Sequence, residues 1–322
     1  FILNIIFADY GGGYAGSGFR YGSNAREFSL AGALVADKTP GFYAFANPAL
    51  LQLARSSQIG LSLQNMSLDR SIQTFSYVKN IPPSAGMGLA FLRYGTDNIM
   101  SRDYMNRKTG LFSVYEIEGI MSFGVALGSK LAVGINIKIF LPSMAPEIMD
   151  RWGGHQHGNG ISWDFGVIYN INRRLILGGK FEDLNGSYTW KILNPCNDKE
   201  RNYQDYAPKT IKLGIAYTQY KDIAIYFQED IVNIPGTYIN YRFRLGIEYR
   251  LSNGIKLRGG FKQARGALTS EEKNGINLKS SVGAGIPMKL WKRQHVQIDY
   301  ALDHGSVGEG LSHLFSFSME LK

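Results

Sequence analysis

Tyr241-Arg242-Phe243-Arg244-Leu245-Gly246-Ile247-Glu248-Tyr249-Arg250 is the stretch that decides the fold, because every second residue is apolar or aromatic and those between are charged or glycine. A period of two places Tyr241, Phe243, Leu245, Ile247 and Tyr249 on one side of a strand, and Arg242, Arg244, Gly246, Glu248 and Arg250 on the other. The division returns at Ile255, Leu257, Gly259 and Phe261 against Lys256, Arg258, Gly260 and Lys262. It returns again at Leu131, Val133, Ile135, Ile137 and Ile139 against Ala132, Gly134, Asn136 and Lys138. Repeated segments of about ten residues with one oily face are what a transmembrane β-barrel requires.

Composition narrows the alternatives. The 322 residues are 44% hydrophobic and 19% charged, which suits a large folded core and excludes a disordered chain. No window holds eighteen consecutive apolar residues and the mean hydropathy is -0.15, which excludes a helical membrane protein but not a barrel. The single cysteine, Cys196, excludes an intramolecular disulfide framework. The net charge of +9 reads as solubility plus a basic lumen or basic loops, since no nucleic-acid-binding module accompanies it.

Three regions follow along the chain. Residues 1–8 form an apolar run ending in a small residue and read as the remnant of a signal peptide. Residues 9–56 are glycine-rich, lack sustained alternation and read as a compact irregular or short-helical segment. Residues 57–322 carry fourteen strand candidates, at 57–68, 70–81, 85–97, 112–126, 130–141, 160–171, 174–189, 208–219, 221–232, 238–251, 254–265, 278–289, 294–303 and 311–322. Every second link is a tight turn, such as Gly128-Ser129-Lys130 and Leu251-Ser252-Asn253-Gly254, while 98–111, 142–159, 190–207 and 266–277 are long. Mostly long links on one rim and short on the other is the outer-membrane pattern, and the first outer link, around Ser67-Leu68-Asp69-Arg70, departs from it by being short. Alternation alone leaves a soluble sandwich open, since that fold also sorts apolar from charged residues. Even strand number, loop parity and the signal-like start favour the barrel.

Several phrases resemble the PorV/PorQ family of outer-membrane proteins, a branch of the superfamily that includes the FadL-type channels. They are the opening Gly22-Ser23-Asn24-Ala25-Arg26-Glu27-Phe28-Ser29-Leu30-Ala31-Gly32-Ala33, the Asn47-Pro48-Ala49 box, Asp164-Phe165-Gly166, Pro208-Lys209-Thr210-Ile211-Lys212-Leu213-Gly214 and the closing His313-Leu314-Phe315-Ser316. The resemblance implies an all-β, fourteen-stranded antiparallel transmembrane barrel in the bacterial outer membrane, with a small N-terminal plug and often an opening through the wall. It implies one of two functions: an accessory, partner-binding role in protein export of the type IX kind, or passage of long-chain fatty acids and other small hydrophobic molecules. The implied partners are outer-membrane lipid and lipopolysaccharide, with a secretion translocon, an exported protein or a small hydrophobic ligand.

The ionic face supplies the candidate site residues. Gly124, Gly134, Gly166, Gly214, Gly246 and Gly260 lie near mid-strand on it, where missing side chains would let a plug approach the wall and would ease curvature. Asn47-Pro48-Ala49 reads as a rigid turn, with proline fixing φ and asparagine bonding nearby backbone. Lys138, Lys212, Arg242, Arg244, Glu248, Arg250, Lys256, Arg258 and Lys262 are candidates to line the lumen, chiefly as cross-strand pairs. A residual positive potential there would attract a carboxylate headgroup or an acidic protein segment. Catalysis is not expected: His155-Gln156-His157 lacks further ligands at metal spacing, Asp303-His304 with Ser306 shows no triad geometry, and the glycine run 11–18 lacks a phosphate-loop ending. No metal or cofactor is expected. Trp152, Trp163, Trp190 and Trp291 fall at expected strand ends, where aromatic residues favour a membrane interface.

Overall fold

Strands that are oily on one face and must satisfy both edges in lipid can do so only by closing on themselves. The computed structural model describes residues 14–39, 41–66, 68–144, 156–194, 199–220, 222–233, 239–263, 278–290, 294–304 and 311–321. The expected signal remnant at 1–8 lies outside them. The sheet runs through β1 (Ser57–Asn65), β2 (Arg70–Ile81), β3 (Ala85–Arg102), β4 (Lys108–Leu127), β5 (Leu131–Met144) and β6 (Gln156–Asn170). It continues through β7 (Leu175–Glu182), β8 (Ser187–Asn194), β9 (Lys199–Tyr206), β10 (Lys209–Tyr220), β11 (Ile223–Asn233) and β12 (Ile239–Arg250). It ends with β13 (Lys256–Gln263), β14 (Leu278–Leu290), β15 (Gln294–His304) and β16 (Leu311–Leu321).

Closure is antiparallel throughout. β1 pairs with β16 from Ser57↔Leu321 to Asn65↔His313, and β5 pairs with β6, so the sheet has no open seam. β7 and β8 both pair with β6 and are halves of one interrupted stave; β9 and β10 are halves of the next. The sixteen segments therefore make a closed barrel of fourteen staves. The strand expected at 174–189 is the stave of β7 and β8, while the one expected at 208–219 is β10 alone. β9 falls in the run 190–207 expected as a long link, and the expected link 98–111 is largely strand, since β3 runs to Arg102 and β4 begins at Lys108.

The burial pattern decides between barrel and sandwich. Large apolar residues on many staves point outward and stay exposed, among them Leu63 (61%), Ile161 (57%), Phe261 (52%) and Phe315 (55%). Asn136, Asp164, Lys180 and Arg258 lie inside and are almost fully buried. An apolar exterior around a charged interior is the reverse of a soluble sandwich and is the construction of an outer-membrane barrel. Among the described residues no helix is long and apolar enough to cross a membrane; the crossing is made by strands.

The segment before β1 is enclosed by the wall. It contains α1 (Ala25–Ser29), α2 (Tyr43–Ala46) and two 3-10 turns, Gly18–Arg20 and Pro48–Leu53. The Asn24 side chain caps α1 by accepting from the Glu27 amide, and Glu27 returns a contact by accepting from the Ser23 amide. Leu30, Leu34, Tyr43, Leu50 and Leu51 form an apolar core with Val78, Ala132, Ile168 and Ala216 of the wall.

Candidate functional site in the barrel lumen

Glycines set how closely the inner segment meets the wall. Register aligns Gly86↔Gly124, Gly124↔Gly134 and Gly134↔Gly166, so one lateral row crosses β3 to β6. A Cβ at Gly86 would collide with the Leu51 carbonyl, one at Gly124 with the Pro48 carbonyl, one at Gly134 with the Pro48–Ala49 peptide and one at Gly166 with the Asn47 side chain. Gly178↔Gly214 makes a second row against Val35, and Gly246↔Gly260 a third against Leu30 and Ala31. Gly60, Gly86, Gly178 and Gly283 make the same kind of approach and were not singled out from sequence.

Asn47 is fully buried and joins the inner segment to the wall. Its Oδ1 accepts from Ala49 N at 3.0 Å, capping the turn that Pro48 opens. Its Nδ2 donates to Val35 O at 2.9 Å, Gly179 O at 3.0 Å and Val167 O at 3.2 Å. One side chain thus ties two parts of the inner segment to β6 and β7.

Above this contact lies a layer of buried charge. Lys138 Nζ sits 3.1 Å from Asp164, 3.1 Å from Asp183 and 3.2 Å from Glu118. Lys180 lies 2.9 Å from Glu182 and 3.2 Å from Asp164, and Lys212 lies 2.7 Å from Glu182. Arg244 pairs with Asp230 at 2.7 Å and donates to Ala31 O at 3.1 Å. Arg258 meets both Glu248 and Asp299 at 2.7 Å. Arg26 of α1 meets Glu248 on the wall and Asp37 at 2.8 Å. Burial alone would lower the Arg26 guanidinium, but the Asp37 and Glu248 carboxylates outweigh it and hold the group well above its ordinary value.

Of the remaining lumen candidates, Arg242 is buried on the inner face of β12, and Lys262 lies 4.0 Å from Asp303 and over the Phe28 ring. Arg250 and Lys256 lie at the rim of the short turns, and Lys256 reaches the charge layer only through Gln297, which accepts from its Nζ at 3.3 Å and donates to Asp299 at 3.1 Å. The cavity inside the layer is about 60 Å³ and is bounded by Arg20, Glu118, Lys138, Lys180, Glu182 and Asp183. It has room for a few waters and none for an organic ligand.

A bulge in the wall feeds this layer. β6 pairs Phe165↔Phe181 and then Ile161↔Ser187, so residues 182–186 run opposite only 162–164. The extra chain bulges, with Asp183 at φ +57° and its carboxylate turned inward to Arg20 (3.0 Å), Lys138 (3.1 Å) and Ser162 (3.3 Å). Beside the bulge is a cluster of Phe19, Phe140, Tyr188 and Trp190 over Ala15 and Ala207. Phe19 stacks on Phe140 at 5.7 Å, Phe140 meets Tyr188 at 5.4 Å, and Tyr188 meets Trp190 edge-on at 6.1 Å.

Two expectations about tryptophans are corrected. Trp190 is not at a membrane interface: it shares the parity of Lys180 and Tyr188 and is buried in the lumen. Trp163 lies within β6, facing outward, rather than at a strand end. Trp152, Trp291, His155 and Ser306 lie outside the described residues, and Asp303 serves as a partner of Lys262. Among the described residues no group of metal-ligating side chains comes together. Lys180, Glu182, Asp183 and Arg26 were missed from sequence. Strand parity would have placed Lys180 inside with Gly178, and Asn185-Gly186 is a turn signal within an otherwise strand-like run.

No family model and no curated protein matches this sequence. Solved structures do match in shape. The CymD monoaromatic hydrocarbon channel gives a TM-score of 0.65 at 13% identity, covering 92% of this chain and 97% of that one. The Pseudomonas putida toluene transporter TodX gives 0.60 at 14% identity, with 92% and 97% covered. A Pseudomonas aeruginosa FadL homologue gives 0.62 at 12% identity, with 92% and 97% covered. Closed strand count, enclosed N-terminal segment and end-to-end coverage agree: the chain has the fold of the FadL-like outer-membrane barrels.

Proposed function

We propose that this protein is an outer-membrane channel for small hydrophobic molecules, and that its substrates are compact and ring-bearing. The observation that carries this reading is the aromatic cluster of Phe19, Phe140, Tyr188 and Trp190 set beside the bulged stretch of wall at Asp183–Gly186. Aromatic faces attract apolar rings, whereas the charge layer beneath opposes their passage straight through the lumen. A hydrophobic solute therefore gains by leaving sideways, at the bulge Asp183–Gly186, where residues 182–186 run opposite only 162–164 of β6. Residues 14–56 act in this scheme as a plug, with Asn47-Pro48-Ala49 as its fixed point. The chemistry is passage alone, with no bond made or broken.

The hydrocarbon channels of the same fold support transport over the export role that the PorV-like phrases implied. The test is uptake of radiolabelled toluene by cells without another such channel, with and without this protein. Uptake should rise with the protein and fall again in Ala207→Trp, which crowds the base of the cluster, in a variant shown by its heat-modifiable mobility to be folded. Uptake no faster than in cells without the protein would overturn the proposal.

A further inference from the structure

The mouth at the rim of the short turns differs from the charge layer in one respect: among the described residues its cations form no ion pair. A cavity of about 570 Å³ opens at the rim of the short turns, below Thr39 and Gly41 of the inner segment. Its wall is an arc of consecutive strands from β12 round to β1. Strand parity turns Arg250, Lys256, Lys289, His295, Gln297 and Glu320 toward the lumen, since they share the faces of Glu248, Arg258, Gly285, Asp299 and Ser316. Register makes Arg250 and Lys256 direct cross-strand partners, and Lys289 the partner of His295. Like charges directly opposite on one face destabilise a sheet.

Elsewhere in the lumen such juxtapositions are neutralised. Arg244 and Lys262 are also cross-strand partners, but Asp230 answers one and Asp303 the other. At the mouth Lys256 bonds Gln297 Oε1 at 3.3 Å, and among the described residues Arg250, Lys256 and Lys289 have no ion-pair partner. Glu320 is the one carboxylate in the cavity lining. Three full positive charges face one negative charge across a space the size of an ordinary small-molecule site.

We propose that this mouth is an anion-binding site, separate from the route of hydrophobic molecules, that takes a small organic anion bearing a carboxylate or phosphate group. Arg250 supplies a planar two-pronged donor, Lys256 and Lys289 supply point charges, and Gln58, Gln297 and Ser318 supply uncharged polar contacts to the rest of the ligand. The bound anion screens the facing Arg250 and Lys256 charges, so binding and wall stability are linked.

The experiment is calorimetric titration of the full-length protein, folded in a zwitterionic detergent, with citrate and with inorganic phosphate as the two probes. Saturable binding of at least one is expected, weakened about tenfold or more in Arg250→Gln and in Lys256→Gln, as befits loss of a charge-assisted hydrogen bond. Glu320→Gln should tighten it, and Lys130→Gln, a cation on a different short turn, should leave it unchanged. Binding of citrate alone assigns a carboxylate ligand; binding of phosphate alone assigns a phosphorylated one. Heat-induced gel mobility shifts report whether each variant is folded, and the Lys256→Gln arm stands in if Arg250→Gln is not. Absence of saturable binding by both probes, or equal weakening by Lys130→Gln, overturns the site.

Discussion

Two regions of one lumen use the same residue types to opposite ends. In the middle layer Lys138, Lys180, Lys212 and Arg244 each lie within 3.2 Å of a carboxylate, and they are enclosed. At the short-turn mouth Arg250, Lys256 and Lys289 line a cavity in which Glu320 is the one acid among the described lining residues. β12 spans both, with Arg244 and Glu248 paired and Arg250 not. The comparison teaches that a basic lumen is not one feature. Charge that is buried has to be neutralised by its neighbours, because desolvation makes an unpaired ion costly, whereas charge at a wet rim can wait for a ligand.

The largest test of that contrast is to break the buried layer. Lys138→Met removes the shared partner of Glu118, Asp164 and Asp183 and leaves their carboxylates crowded. We expect a loss of about 3–5 kcal/mol, measured by denaturant unfolding of the purified barrel. A change near zero would mean that the layer is wet and its pairs decorative. Next in size is Leu245→Arg, which tests the parity on which both regions rest. Arginine facing mid-bilayer lipid should cost roughly 2–4 kcal/mol and lower the yield of folded barrel.

Much of this was legible in sequence, and for a physical reason. A membrane barrel writes its two solvents into alternate residues, so Tyr241 to Arg250 gave both the strand and its faces, and all fourteen staves were placed. What alternation cannot show is interruption. The bulge at Asp183–Gly186 preserves the inward parity of Lys180 and Tyr188 on either side, so the run 174–189 looked continuous. Pairing was legible only as a tendency: which acid meets Lys138 depends on the bulge that delivers Asp183 and on the stagger of neighbouring strands, neither of which is local. The close approach of Pro48 to the wall could be anticipated from mid-strand glycines, but not that Gly86, Gly124, Gly134 and Gly166 form one unbroken row.

That row supplies a smaller effect. Gly134→Ala puts a methyl group where the Pro48–Ala49 peptide sits, so the inner segment has to withdraw. Overpacking of this kind costs about 1–3 kcal/mol, and we expect it to appear as faster protease cleavage within residues 14–56 while the barrel keeps its heat-modifiable mobility. Gly128→Ala bears on a different property, since its φ of +87° and open surroundings make backbone strain the only cost there. Equal protease sensitivity in the two variants would show that the inner segment is released by general loosening and not by its contact with the row.

The smallest effect belongs to the mouth, and it separates the two regions most cleanly. Arg250 faces Lys256 across the β12–β13 ladder and has no ion-pair partner among the described residues. Removing its charge in Arg250→Leu therefore breaks no pair. It relieves a like-charge juxtaposition, so stability should stay within about 0.5 kcal/mol of the parent or rise slightly. The measurement is the same denaturant unfolding used for Lys138→Met, at low salt, where repulsion between the two cations is least screened. Adding phosphate or citrate should then stabilise the parent protein and not the variant, since only the parent keeps the full set of cations that would hold the anion. A loss in Arg250→Leu comparable to that in Lys138→Met would place Arg250 in the structural network after all, and the difference between the two regions would disappear.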